Sequence, residues 1–237
     1  MAVIIPPLDP GSIGIDPVHD GHGVLRHTHG SMRRNLHQRG NVANEFLDRV
    51  FQHVSGTDIR SYRFEHWPVP GKPTDEGVGI LPVPGADPER IMARVFDLNH
   101  YVGNVAHVTE CRIIDDPAYV PPQKARFYQR VKIPLLGEVH HELVLERVGT
   151  IKGFEVACWH MLEAETLALG GKPVIRSQYN DGAWLAAPGL VGYALSSAPR
   201  REDIGLLKWK ALTVGANATA THVVQENIQN MSTWAAR

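Results

Sequence analysis

The feature that most constrains this chain is its end. From Asp203 to Ala235 the sequence reads as one long helix, and the segments before it read almost entirely as strands. Apolar or small residues recur at Leu207, Ala211, Val214, Ala218, Thr221, Val224, Ile228, Met231 and Ala235, three and four apart, which places them on a single face. A helix with one apolar face needs a surface to cover, and the preceding strands supply a sheet. At about 1.5 Å per residue it would run roughly 45–50 Å, enough to cross a small sheet. Its middle is built of small residues, from Gly215, Ala216, Asn217 and Ala218 to Thr219, Ala220 and Thr221, whereas Leu207, Trp209, Met231 and Trp234 sit toward its ends. Two arrangements fit that gradient. The helix either closes a chamber at both ends and leaves room between, or its slim centre packs tightly on the sheet.

Whether such a sheet can stand alone depends on how much apolar material the chain has. With 237 residues, 43% of them hydrophobic and 21% charged, it can bury a core unaided as one domain, or one domain with an extension. The formal charge of −1 supplies no basic field for nucleic acid or an anionic surface. No apolar stretch approaches the ~20 residues of a membrane span, and the opening MAVIIPPLDPGSIG has no basic start and is broken by prolines, unlike a secretory signal. These features predict a cytoplasmic protein. Cys111 and Cys158 lie far apart inside apparent strands and predict two buried structural thiols, with neither a disulfide framework nor a zinc site.

Residues 1–58 predict an N-terminal extension, a flexible arm followed by one helix. Its first part is too rich in Pro, Gly and His for regular structure, and the helix runs from Arg34 to His53 with Gly40 as its weak point and Gly56 ending it. His19, His22, His27 and His29 are too irregularly spaced for a metal site. With Arg26, Arg33, Arg34 and Arg39 they suit a solvated basic arm or a contact with a protein partner or a second copy. Residues 59–237 predict the folded domain. Asp87 as N-cap, Pro88 at the first helical position and Glu89 behind it open a second helix. Strand-like segments at hairpin spacing follow, which implies an antiparallel meander.

Charge registers two of the hairpins. Centring the first turn on residue 136 sets Arg130 against Glu142 and Arg126 against Glu146, leaving Phe127, Gln129, His141 and Leu143 on the apolar inner face. Centring the next turn between Thr150 and Ile151 turns Phe154, Val156, Cys158 and His160 inward and sets His160 across from His141.

The helix entry DPER at 87–90, its exit DLNHY at 97–101, the strand run and the terminal helix together resemble the START-like superfamily, which contains Bet v 1, START lipid-transfer domains and polyketide cyclase/dehydrases. The resemblance covers about residues 60–237. It implies an α+β helix-grip fold, a curved antiparallel sheet wrapped around a long C-terminal helix with a hydrophobic cavity between. It also implies a hydrophobic small-molecule ligand such as a lipid, sterol, terpenoid or aromatic polyketide, held by a carrier or sensor. The superfamily brings no shared catalytic motif.

Phe127, Gln129, Leu143, Cys158, Tyr179, Tyr193, Val214, Ala218 and Thr221 are therefore the expected ligand-binding positions. Asn180 and Trp184 fall in the same late strands, where alternation is ambiguous. The pair His141 and His160 is the expected acid and base of the alternative, an aromatase/cyclase-type enzyme, because imidazoles titrate near neutrality and aldol or dehydration steps need a proton shuttle. No metal is expected, since two histidines and a thiol lack a clear further ligand. Phosphate loops, dinucleotide fingerprints, nucleophile elbows and His-Glu-x-x-His helices are absent from the sequence, so no cofactor is expected.

Overall fold

The computed structural model describes residues 45–54, 59–133, 136–171 and 173–237, with the backbone alone for residues 214–219. The His-rich arm, the start of the first predicted helix and Gly56 lie outside the described residues, all of which fall within one unit, Gln38–Arg237. In chain order the elements are a helix over residues 45–53 (α1), β1 Arg63–Trp67, β2 Glu76–Pro82, α2 Pro88–Val95, a 3-10 turn Leu98–His100, β3 Val108–Ile113 and β4 Lys124–Ile133. There follow β5 Gly137–Ile151, β6 Phe154–Met161, α3 Glu163–Ala168, β7 Ile175–Ala187, β8 Leu190–Pro199, α4 Arg201–Ile204 and α5 Leu206–Ala235.

The strands form one eight-stranded sheet in the order β1-β2-β8-β7-β6-β5-β4-β3. Every neighbouring pair is antiparallel, and beyond the end of short β6 a parallel contact joins β5 to β7 at Val139↔Ile175. α2 starts as its sequence demands, with the Asp87 carboxylate accepting the Glu89 amide at 3.0 Å. Such a cap contributes about 1 kcal/mol.

Two registers differ from those expected. The β4–β5 ladder closes at Ile133↔Gly137, so Arg130 faces His140 and Arg126 faces Val144. This is a shift of two, which leaves the faces unchanged: Ala125, Phe127, Leu143 and Leu145 still point into the inner core. The ion pairs change partners with the shift: Glu142 receives Arg126 along the diagonal, at 2.8 Å from Nε, in place of Arg130. The second difference does change faces. β5 and β6 are joined by Lys152 and Gly153, both at positive φ (48° and 84°), as a two-residue turn with the strands' own twist requires. Between Arg147 and Gly149 the ladder then slips by one residue, leaving Val148 unpaired. A one-residue bulge sends every side chain beyond it to the other face. Ala157 and Trp159 consequently join the inner core, and Phe154, Val156 and Cys158 join the outer one.

The outer core lies under α1, whose Phe46, Leu47, Val50 and Phe51 pack on Val78, Ile80, Val156, Leu185 and Ala194. At the margin of this apolar patch Glu76 is 0% exposed and holds α1 to the sheet. Arg49 grips its carboxylate with two bonds of 2.8 and 2.9 Å, Lys72 adds one at 2.9 Å and the Trp67 indole one at 3.1 Å. Burial pushes the Glu76 carboxyl up, but the bonds and charges of Arg49 and Lys72 outweigh it and hold the group below its ordinary value.

The inner core lies under α5, which docks by its C-terminal half. Val224, Ile228, Met231, Trp234 and Ala235 are buried, while Leu207, expected at the head of the same face, is 85% exposed and Ala211 is exposed too. The contacts made explain the difference. α2 supplies Ile91, Met92 and Val95 opposite the end of α5, Tyr101 meets the Trp234 ring edge-on at 6.2 Å, and Asn227 accepts the Ala106 amide at 3.1 Å. On the sheet, Gly79 lets the helix come close: a Cβ there would sit 2.4 Å from Val224 Cγ1 and 2.8 Å from the Tyr62 hydroxyl, which itself bonds the Thr221 carbonyl at 2.8 Å.

Two variants test these contacts. Glu76→Gln leaves Arg49 without its counter-charge and Lys72 with only the Asp181 carboxylate at 3.7 Å, and should lower stability by about 3 kcal/mol in urea unfolding at neutral pH. Because the folded carboxyl titrates below its usual range, that deficit should shrink as the pH falls through it; a constant deficit would contradict the ion-pair account. Gly79→Ala should cost about 1–3 kcal/mol, since neither the backbone of β2 nor the docked helix can give way freely.

Candidate functional site

On the inner face of the sheet the side chains of β8 are covered less completely than on its outer face. The evidence is the burial along β8. Its outward Ala194, Ser196 and Ala198 are buried, whereas the inward Tyr193, Leu195 and Ser197 each keep accessible surface. Tyr193 locates that surface. Burial drives its phenol far above the ordinary tyrosine value, and its side chain keeps some accessible surface.

The inner face here is aromatic. Trp159 and Trp184 flank Tyr193 at centroid separations of 5.3 and 4.6 Å, the latter edge-on. Trp159 lies over Gly182, where a Cβ would come 2.0 Å from its ring, and its indole N–H donates to Asn180 Oδ1 at 2.9 Å. Toward the far end of β5, His141 is 2% exposed and shares a 2.8 Å hydrogen bond through Nε2 with Ser177 Oγ on β7. A bulge at Gln178 is what turns Ser177 inward beside it. Burial, assisted by the neighbouring His140, pushes the His141 imidazole down to about 3, so it is neutral at physiological pH and a weak proton acceptor.

Of the expected site residues, Phe127, Gln129, Leu143, His141 and Tyr193 share the inner face, with Gln129 directly across from His141. His160 does not join them. It pairs with Val144 and, past the bulge, faces outward, so the two imidazoles do not oppose one another. Cys158 is outward for the same reason, packed under α1, with its thiol pushed up to about 12 by burial. Tyr179 is outward as well, bonded to Thr74 Oγ1 at 2.6 Å with Lys72 Nζ 4.7 Å from its ring centroid. Thr221 lies on α5 over β2, where its carbonyl ties the helix to Tyr62. The side chains of Val214 and Ala218 lie outside the described residues.

Sequence reasoning passed over Trp159 and Ser177. The Lys152-Gly153 pair was the signal that would have placed the β5–β6 turn, and Gly149, at φ 100° beside Val148, marks the first bulge, whereas the slip at Gln178 has no glycine or proline beside it. Among the described residues no three His, Cys, Asp or Glu side chains converge to hold a metal ion. A groove of about 310 Å³ between α1 and the β5–β6 turn is a weaker candidate, because its one cation, Lys152, is already bonded to the Phe51 carbonyl at 2.7 Å.

The architecture has relatives among solved structures. A fragment of a STAR-related lipid transfer protein from Xanthomonas axonopodis superposes with a TM-score of 0.59 at 14% identity, covering 77% of this chain and 97% of the other. Human StAR-related lipid transfer protein 5 gives 0.57 at 10% identity over 84% and 98%, and human STARD10 gives 0.52 at 11% over 76% and 71%. No protein-family model matches the chain, and no curated protein matches it in sequence. At such identities the likeness establishes the fold alone. The chain has the α+β helix-grip fold of START domains, as its helix entry, strand run and terminal helix led us to expect.

The seat of Trp159 is open to test. Gly182→Ala should push the indole off the sheet and break its bond to Asn180, seen as a red shift in tryptophan emission and a loss of about 1–3 kcal/mol of stability. An unchanged spectrum would mean the ring does not lie where described.

Proposed function

We propose that this protein takes up one hydrophobic small molecule between the inner face of the sheet and α5, and acts as a carrier or sensor of it. The observation that carries the reading is the inverted burial on β8, where the side facing the core keeps accessible surface and the side facing out does not. Apolar walls with a few polar atoms are what such a ligand requires. The solved structures that share the fold include proteins named for lipid transfer, which supports the same class of cargo. A lipid, sterol, terpenoid or aromatic polyketide fits these walls. Among the described residues no helix is long and apolar enough to cross a membrane.

The test is uptake. Purified protein should bind Nile red or extracted host lipid with saturable stoichiometry near one, and Leu195→Trp, which adds bulk at an inward position, should reduce that binding at least about tenfold while leaving thermal unfolding cooperative. Absence of uptake by the wild type, or uptake indifferent to Leu195→Trp, would overturn the proposal.

A further inference from the structure

Tyr193 places a hydroxyl group on the inner face of the sheet without a partner among the described residues. Its ring is fixed by the contacts with Trp159 and Trp184, and its backbone sits in the middle of the sheet between Gly79 on β2 and Trp184 on β7. Most neighbouring polar groups are committed to one another, although His141 Nδ1 is buried without a partner among the described residues. Trp159 bonds Asn180, His141 bonds Ser177, Tyr62 bonds the Thr221 carbonyl and Tyr101 bonds the Val95 carbonyl at 2.5 Å. Tyr193 Oη hydrogen-bonds none of the described residues. It is not among the fully buried unpaired atoms, so a molecule in contact with this face can reach it and supply the partner that a phenol ordinarily finds.

The surroundings also fix the charge of any such partner. Between the rims, from Phe127 on β4 across to Leu195 on β8, the described inner-face positions carry no Lys, Arg, Asp or Glu. Charges occur only where the sheet ends, and there they are spent on each other. At the α2 rim Arg147 and Glu155 meet at 3.2 Å. At the α4 rim Arg176 is held by both oxygens of Asp203, at 2.9 and 2.8 Å, and its remaining terminal nitrogen donates to the Leu167 carbonyl at 2.8 Å. Among the described residues, neither of these rim guanidinium groups is left to receive a carboxylate or phosphate. His141 stays neutral and offers no positive charge either. An anion carried into this interior would lose its hydration without compensation.

We infer that Tyr193 Oη is the hydrogen-bonding anchor of the chamber, and that the cargo is an apolar molecule whose polar group is an uncharged hydroxyl or carbonyl. This rests on reading the interior as a ligand chamber. A phenol both donates and accepts, so it can serve either group, whereas the flanking indoles set the flat apolar part of the ligand against the sheet.

Tyr193→Phe tests the anchor because it keeps the ring and removes only the oxygen. Two matched probe sets, hexadecanol with hexadecane and hexadecanoate, and cholesterol with cholestane and cholesteryl sulfate, compete against Nile red for the full-length protein. In at least one set the alcohol should displace the dye more strongly than either its hydrocarbon or its anion. Tyr193→Phe should then weaken the alcohol about five- to tenfold and leave the hydrocarbon unchanged. The ligand-free variant should melt no lower than the wild type, because the hydroxyl it loses had no partner; a purely structural hydroxyl would instead lower the melting temperature. Equal binding of alcohol and anion, or an alcohol affinity indifferent to Tyr193→Phe, overturns the anchor while the chamber stands. If neither Nile red nor any of the six probes binds, the chamber fails and the anchor with it.

Discussion

One extra residue in one strand governs what each face of this sheet contains. Val148 has no partner on β6, and because side chains alternate along a strand, its insertion decides whether Trp159 or Cys158 looks at α5. With the bulge, β6 presents Ala157 and Trp159 to the inner core and gives Phe154, Val156 and Cys158 to the layer beneath α1. The rest of the interior is arranged around that outcome. Gly182 has no side chain because the Trp159 ring occupies the place a Cβ would take, and Asn180 is turned inward where it can receive the indole N–H.

The two faces solve different physical problems. Outside, a short helix is secured by close apolar packing and by a buried carboxylate shared among Arg49, Lys72 and Trp67, an arrangement whose strength depends on all members being present. Inside, the polar atoms are few, neutral and mostly paired off, and the large side chains are aromatic. A sheet sealed on one side by charge and packing can leave the other side incompletely filled without losing its shape. That division of labour is why accessible surface persists on the inward positions of β8 and not on its outward ones.

Much of this was legible in the sequence, and the parts that were not have identifiable causes. The Asp87-Pro88-Glu89 entry specified the start of α2 because its signals are local. The inner faces of β4 and β5 were legible because the turn between them was misplaced by two residues, an even number that preserves alternation. The face of β6 was lost because a bulge is a property of the ladder, and Gly149 beside Val148 reads as part of the turn that follows. The same holds for Ser177, turned inward by the slip at Gln178. Along α5 the period of the apolar residues was correct, but periodicity does not say which turns find a partner: Val224 to Ala235 meet α2 and the sheet, and Leu207 meets solvent.

The close approach at Gly79 makes α5 a beam supported near its middle and clamped at one end. From Val224 onward it is pinned by α2, Tyr101 and Asn227; at its start it follows Gly205, a residue at φ 78° that ends α4. A beam loaded this way transmits tilt: a small rotation about the glycine, with the buried C-terminal contacts as the stiff side, becomes a larger displacement at Leu206 and Leu207, where no buried side chain resists it. The distance of the helix from β2 is therefore set by a contact between a helix and bare backbone.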